Sequence, residues 1–228
     1  MSRVIAGSAG GRRLAVPPGR GTRPTSDRAR EGIFSTVGSL IGPLDGCAVL
    51  DLYAGSGALG LEALSRGAAH VTLVESDARA VRTIRQNVAS LGLAGARVVA
   101  DRVERLLDRG PAAPAPGRDA GARPGRGTGP DAGTGPDSAS SASSGEAGDS
   151  VRAYDLVLAD PPYALGEKEV RTVLELLRDR GWLAPDALIA VERETRGGAL
   201  VWPDGYEEER GRRYGEASVW YGRAAGNP

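Results

Sequence analysis

The stretch Asp51-Leu52-Tyr53-Ala54-Gly55-Ser56-Gly57-Ala58-Leu59-Gly60 decides how this chain of 228 residues folds. The run Ala48 to Tyr53 is apolar over most of its length, as a buried parallel strand is, and the residues after Gly57 take up helical spacing. The glycines therefore sit where a strand turns into a helix, and they let the backbone approach a ligand closely. The next strand, Val71 to Glu75, ends in an acid twenty positions beyond Gly55. A carboxylate there can accept hydrogen bonds from the two hydroxyls of a ribose, so a nicotinamide dinucleotide and S-adenosylmethionine both fit this much. A tight strand-to-helix turn with no ligand fits it too.

Outward from this motif, apolar runs alternate with segments of helical period. Further strands are expected at Arg97 to Ala100, Tyr154 to Ala159 and Ala187 to Glu192. Val81, Ile84, Val88 and Leu91 share one helix face, with Ser76 as the expected N-cap and Gly92 as the stop. Val170, Val173, Leu174 and Leu177 repeat the pattern and end at Gly181. Strand, helix, strand in series predicts an α/β fold, a Rossmann-like, doubly wound and mostly parallel sheet. Tyr206 to Arg213 and Glu216 to Gly222, joined at Tyr214-Gly215, predict a C-terminal antiparallel hairpin.

Composition narrows the function. The single cysteine, Cys47, and single histidine, His70, exclude an intramolecular disulfide and a Cys/His zinc site, so no metal is expected. No run approaches the roughly 18 apolar residues of a membrane span, and Met1-Ser2-Arg3 opens no signal peptide, which predicts a cytoplasmic protein with no membrane partner. The 29 basic and 29 acidic residues balance, but up to Leu44 seven arginines face only Asp27 and Glu31, leaving a local charge of +5. The basic end is where a nucleic acid is expected.

Two features favour S-adenosylmethionine over a dinucleotide. Asp51, four positions before Gly55, would repel a pyrophosphate but suits an ammonium. The strand Tyr154 to Ala159 then ends in Asp160-Pro161-Pro162-Tyr163, at the carboxyl edge where α/β sheets bind ligands. An exocyclic amino group conjugated to its ring is a poor nucleophile, and its N–H bonds need acceptors that turn the lone pair toward a methyl. The Asp160 carboxylate and the Pro161 carbonyl supply two, with the prolines fixing the backbone direction. Tyr163 can stack on a base that is unpaired or flipped out. Asp101, ending the third strand, suits either an adenine contact or the cap of the following helix. Cys47 precedes the first strand of the sheet, so no cysteine adduct with a pyrimidine is expected.

With these residues in hand the chain resembles the RsmD family, bacterial enzymes that methylate guanine N2 in 16S ribosomal RNA. The likeness rests on Arg3-Val-Ile-Ala-Gly-Ser-Ala-Gly-Gly-Arg-Arg-Leu14, on Arg23-Pro-Thr-Ser-Asp-Arg-Ala-Arg-Glu31 with Gly32-Ile33-Phe34, and on Arg213-Tyr-Gly-Glu-Ala-Ser-Val-Trp-Tyr221. It implies a class I methyltransferase with S-adenosylmethionine among Asp51, Tyr53, Gly55, Gly57, Glu75 and Asp101, and the guanine at Asp160, Pro161, Pro162 and Tyr163. It also implies an N-terminal β-hairpin arm over 1–24, with Arg3, Arg12, Arg13, Arg23 and Arg28 on RNA. The expected partner is 16S rRNA or the small ribosomal subunit, met as a monomer. An adenine-N6 methyltransferase is the nearest alternative, since the four-residue motif serves that amino group equally. An NAD oxidoreductase leaves Asp160 to Tyr163 unexplained, and an RNA-binding protein without turnover would bind cofactor only.

The methyltransferase domain is expected over 25–109 and 151–222, with a tail at 223–228. Between them, 110–150 contains no Val, Ile, Leu, Met, Phe, Trp or Tyr. Such a segment cannot bury enough apolar surface to offset its ordering entropy, and it reads as a disordered insertion. Deleting 110–150 is expected to leave methyl transfer intact, because closure entropy grows slowly with loop length. A severe loss in a methylation assay of the deletion variant would overturn this reading.

Overall fold

The computed structural model describes residues 2–17, 26–111, 153–215 and 217–225. Arg23, most of the 110–150 segment, Glu216 and the end of the tail lie outside the described residues.

Seven strands form one sheet in the order β5-β4-β3-β6-β7-β9-β8. Strands β3 (Ala48–Leu52), β4 (His70–Glu75), β5 (Ala96–Ala100), β6 (Tyr154–Ala159) and β7 (Leu183–Glu194) are parallel. Strands β8 (Tyr206–Tyr214) and β9 (Ala217–Ala224) close the edge as an antiparallel hairpin, with β9 against β7. The inner strands are apolar on both faces because helices cover both. Val49, Leu156, Leu158, Leu188 and Ala190 meet α1 (Asp27–Ile41), α2 (Ala58–Ser65) and α3 (Ala78–Leu91) on one side. Their alternates Leu50, Val157, Ile189 and Val191 meet α4 (Val103–Asp108) and α5 (Glu167–Asp179) on the other. Among the described residues no helix is long and apolar enough to cross a membrane.

Several boundaries differ from the sequence expectation. The N-cap of α3 is Asp77, whose carboxylate accepts the Arg79 and Ala80 N–H groups, whereas Ser76 donates its own N–H to Glu75. β7 starts at Leu183, four residues early, with Asp186 at φ +59; Pro185-Asp186 interrupts the apolar pattern without ending the strand. β9 runs two residues into the expected tail. Arg223 earns that extension by bonding Glu209, the Asp186 carbonyl and the Leu40 carbonyl. Trp182 is buried in the core and stacks on Tyr154, while the half-buried Trp220 and Trp202 lie over Gly211 and Gly222, where a Cβ would meet the indole at 2.7 and 2.6 Å.

The N-terminal hairpin pairs β1 (Ser2–Arg3) with β2 (Arg13–Leu14), and Val4, Ala9 and Leu14 are buried in the same core as α1 to α3. One carboxylate fastens it. Glu62 of α2, fully buried, accepts the Ile5 N–H at 2.7 Å and the Ala6 N–H at 3.0 Å. It also accepts the Arg66 Nε at 2.7 Å and faces the buried Arg30 Nε at 3.9 Å. Arg30 in turn donates to the Arg3 carbonyl and to Asp27, while burial pulls its pKa below the ordinary value. Glu62→Ala strips two backbone N–H groups and leaves Arg30 under-compensated. A loss of about 3–5 kcal/mol in urea denaturation is expected for breaking such a buried ion pair. A loss below about 1 kcal/mol, the size of a surface pair, would show that Glu62 is not structural.

Candidate active site

The chain runs outward from β3 to β4 and β5, then crosses to β6 on the other side of β3. Such a reversal opens a crevice at the carboxyl ends of the two strands, because their connections leave in opposite directions. The register is parallel, with Asp51 opposite Leu158 and Leu52 opposite Ala159. Asp51 and Asp160 therefore finish adjacent strands, and the Asp160 N–H reaches the Leu52 carbonyl at 3.4 Å.

Asp51 stands where strand alternation would put an apolar residue under α2. It is 1% exposed, and its Oδ2 accepts the Gly60 N–H at 2.9 Å. Burial pushes its carboxyl from 3.8 up to about 7; the Gly60 N–H opposes this, and the charges of Asp160 and Glu75 add to it. Three of the sequence-predicted carboxylates thus lie within electrostatic reach of one another. The three glycines divide the work. Gly60 is a close approach, since a Cβ would meet Asp51 Oδ2 at 3.0 Å and Val71 at 2.8 Å. Gly57 caps α2 at φ +78, and Gly55, at φ +57, has nothing closer than 4.0 Å to an added Cβ. The space beside Gly55 faces no protein atom that would need it.

Glu75 Oε2 accepts the Gly55 N–H at 2.9 Å, and Oε1 accepts the Ser76 and Asp77 N–H groups at 2.7 and 2.8 Å. The acid at the end of β4 thus sets the loop conformation. Three of its roughly four acceptor positions are taken by backbone, which leaves one for a ligand unless the loop moves. Tyr53 has φ +59, a left-handed conformation costing a non-glycine residue about 1–3 kcal/mol. Its hydroxyl donates to Glu104 at 3.1 Å, and burial drives its pKa well above the ordinary value. Its ring and Pro161 line one small apolar pocket with Leu165, Val170 and Val191.

In the second motif Asp160 is half-buried, Pro161 buried, Pro162 exposed and Tyr163 half exposed. The Leu165 N–H returns to the Pro162 carbonyl at 2.8 Å, while no described residue hydrogen-bonds the Pro161 carbonyl. Asp101 is neither free nor a cap. The N-cap position of α4 is Arg102, with no side-chain cap bond, and Asp101 is held by Arg109 at 2.6 Å, which keeps its pKa below the carboxylate norm.

The predicted RNA arginines have different surroundings. Arg12, exposed, lies over the last carbonyls of α3, donating to Leu91 at 2.6 Å and to Ser90, a favourable place for a cation at a helix C-terminus. Arg3 reaches Asp27 at 3.1 Å with 62% of its side chain exposed. Arg13 and Arg28 are exposed, and among the described residues no ion pair joins Arg28 to Glu31.

Two residues that the sequence did not single out hold the site in place. Asn87, 2% exposed on α3, donates to the Ser56 carbonyl of the glycine loop at 2.9 Å and to the Ala15 carbonyl at 3.0 Å, and accepts the Ala15 N–H at 2.8 Å. Arg193 of β7 donates to the Leu165 carbonyl at 2.9 Å, bolting down the loop after Tyr163. An Asn on a helix whose apolar face is already complete was the available sign for the first. Nothing local marks the second.

The family model described as Conserved hypothetical protein 95 matches residues 2–115 and 138–223. The chain is 33% identical over 216 residues to the ribosomal RNA small subunit methyltransferase D of Escherichia coli K12, covering 95% of this chain and 86% of that one. To the protein of the same name from Haemophilus influenzae it is 29% identical over 206 residues, covering 90% and 84%. The solved structure of yhhF from Escherichia coli superposes with a TM-score of 0.70 at 30% identity over 99% of each chain. The fold is that of the class I methyltransferases, as the sequence predicted.

Asp51 gives the site a pH signature. The folded protein keeps this proton up to about pH 7, whereas an unfolded chain releases it near pH 4. The folded state then binds more protons between those values, so this carboxyl removes stability as pH rises through the window. Asp51→Asn is expected to gain on the parent by up to about 4 kcal/mol between pH 4 and 7.5 in urea denaturation. Parallel stability curves would mean that Asp51 titrates normally.

Proposed function

The chain belongs to the RsmD family, and on that premise we propose that it methylates the exocyclic N2 amino group of a guanine in small-subunit ribosomal RNA, using S-adenosylmethionine. Methylation of ribosomal RNA is what its relatives are named for. The guanine, its N2 atom and the assembling subunit as substrate are our own reading. One observation carries it: Asp51 and the glycine loop end β3 one strand spacing from Asp160-Pro161 at the end of β6, with Glu75 ending β4 on the other side of β3.

The residues present fit the cofactor. Open space at Gly55 admits a ligand against the backbone, Glu75 keeps an acceptor position for a ribose hydroxyl, and the acidic surroundings of Asp51 suit a ligand bearing an ammonium and a sulfonium. When bound, S-adenosylmethionine supplies an electrophilic methyl group on that sulfonium. Asn87 fixes the loop by its Ser56 bond, so the crevice is shaped before a ligand arrives.

On the substrate side, the Asp160 carboxylate and Pro161 carbonyl accept the two amino N–H bonds and turn the nitrogen lone pair toward the methyl. Asp160 stabilises positive charge as it builds on the nitrogen and takes the departing proton. Half-exposed Tyr163 offers a stacking face to a base lifted out of its helix. Exposed arginines of the N-terminal segment add sequence-independent attraction to phosphates.

Asp160→Ala is expected to lower kcat about 10²–10³-fold, the scale for losing one preorganised polar group at a reacting centre, while the cofactor Kd changes far less. Labelled methyl transfer to small subunits and to naked ribosomal RNA, followed by nucleoside analysis, is the test. N2-methylguanosine supports the proposal. N6-methyladenosine would replace it with adenine chemistry, and equal losses of kcat and cofactor affinity would make Asp160 a structural residue.

A further inference from the structure

The segments around Arg28 and Arg213, 185 positions apart in sequence, are brought face to face. Tyr214 ends β8 and packs against Gly32 of α1, so closely that a Cβ on Gly32 would meet the ring at 2.3 Å. Its hydroxyl continues into a chain with Thr36 at 3.1 Å and Tyr221 at 3.5 Å. This joint fixes the first turn of α1 as one bank of a groove and the β8–β9 turn as the other. The groove, about 740 Å³, is lined by Ser26, Arg28, Glu31, Ser35, Arg213 and Gly215 among others.

The groove opens at the same edge of the sheet as the candidate active site. β7 runs parallel to β6 and passes Ala159 at Val191, then continues to Glu194, which pairs with Ala217 at the β8–β9 turn. α1 runs the other way, since its Leu40 carbonyl meets Arg223, opposite Leu188 in the lower half of β7. Its first turn is therefore at the carboxyl edge.

Arg28 and Arg213 are both exposed, one on each bank, and neither forms an ion pair among the described residues. The only described side-chain bond of Arg213 is Nε to the Gly215 carbonyl at 3.0 Å, which steadies the stem and leaves the outer nitrogens to a ligand. Two guanidinium groups lining one groove suit the phosphates of a nucleic-acid backbone. Glu31, one turn from Arg28, would repel a phosphate at its own end but can accept from a sugar 2′-hydroxyl, a group that RNA has and DNA lacks.

We propose that this groove between the start of α1 and the β8–β9 turn holds a single-stranded stretch of RNA flanking the target base, with backbone phosphates on Arg28 and Arg213 and a ribose hydroxyl on Glu31. It rests on the ribosomal RNA reading above and adds the surface that receives the strand. Banks joined through Tyr214 would set the strand's path beside the base entering at Asp160.

The test uses the full chain, with methyl transfer followed on small ribosomal subunits lacking the modification and binding of a naked small-subunit ribosomal RNA transcript followed against salt. The double variant Arg28→Ala/Arg213→Ala is compared with Arg97→Ala/Arg180→Ala, which removes the same charge at the opposite edge of the sheet. The groove variant is expected to raise KM for RNA and to lower the slope of log affinity against log salt by about 1.4, the value for two phosphate contacts on a single strand. The control keeps the parent's slope, and Glu31→Gln narrows the preference for RNA over a DNA oligomer of the same sequence. Gly32→Ala, with both arginines retained, raises KM through the displaced bank.

If the groove and control variants share one KM and one slope while the parent still methylates the RNA, the groove proposal fails and the proposed function stands. If the parent transfers no methyl to RNA of any form, both fail. Loss on assembled subunits alone, with naked RNA bound normally, would assign the groove to a ribosomal protein and overturn the proposal.

Discussion

The Glu62 carboxylate is the constraint on which the placement of everything N-terminal to the sheet depends. A fully buried charge is tolerable only when each oxygen is answered, and here two backbone N–H groups and two arginines answer it. Those partners come from the hairpin, α1 and α2, so satisfying one group fixes three elements at once. The consequence reaches the crevice: a hairpin docked by Glu62 delivers Ala15 to Asn87, and Asn87 holds Ser56. Apolar residues at 62 and 30 would pack, but they would specify neither the entry angle of residues 4–6 nor the rotation of α1.

Strand spans, the glycine turn and the second motif were legible because each is a local pattern with its own period or punctuation. Leu50 and Val157 face one way and Val49 and Leu158 the other, as alternation requires. What stayed hidden was long-range. Glu62 lies in an apolar helix and finds its partners 56 and 57 positions away, and Asn87 finds Ala15 across 72. No window of sequence contains both ends of such a bond. The bonds of Arg12 to the end of α3 were equally hidden, since they reach Leu91 from 79 positions away. The site candidates were legible as types, while the division of labour among Gly55, Gly57 and Gly60 needed the neighbours that a missing Cβ makes room for.

The crevice gathers three constrained groups at the ends of β3 and β4. Tyr53 adopts a left-handed backbone, Asp51 occupies an apolar position and Glu75 spends its lone pairs on its own loop. The first two are locally unfavourable and are held by a surrounding group, Glu104 on the Tyr53 hydroxyl and the Gly60 N–H on Asp51, while Glu75 is satisfied by the loop it sets. A left-handed non-glycine backbone persists where packing over-determines it, at Tyr53 as at Asp186 in β7.

The carboxyl of Asp51, poised near neutrality, makes ligand capture a matter of proton stoichiometry. Any cation that settles against this carboxyl favours its ionised form, so in a near-neutral solution binding expels part of a proton into the buffer. The observed heat of association then depends on the ionisation enthalpy of the buffer chosen, and affinity measured below neutrality is lower by the work of removing that proton.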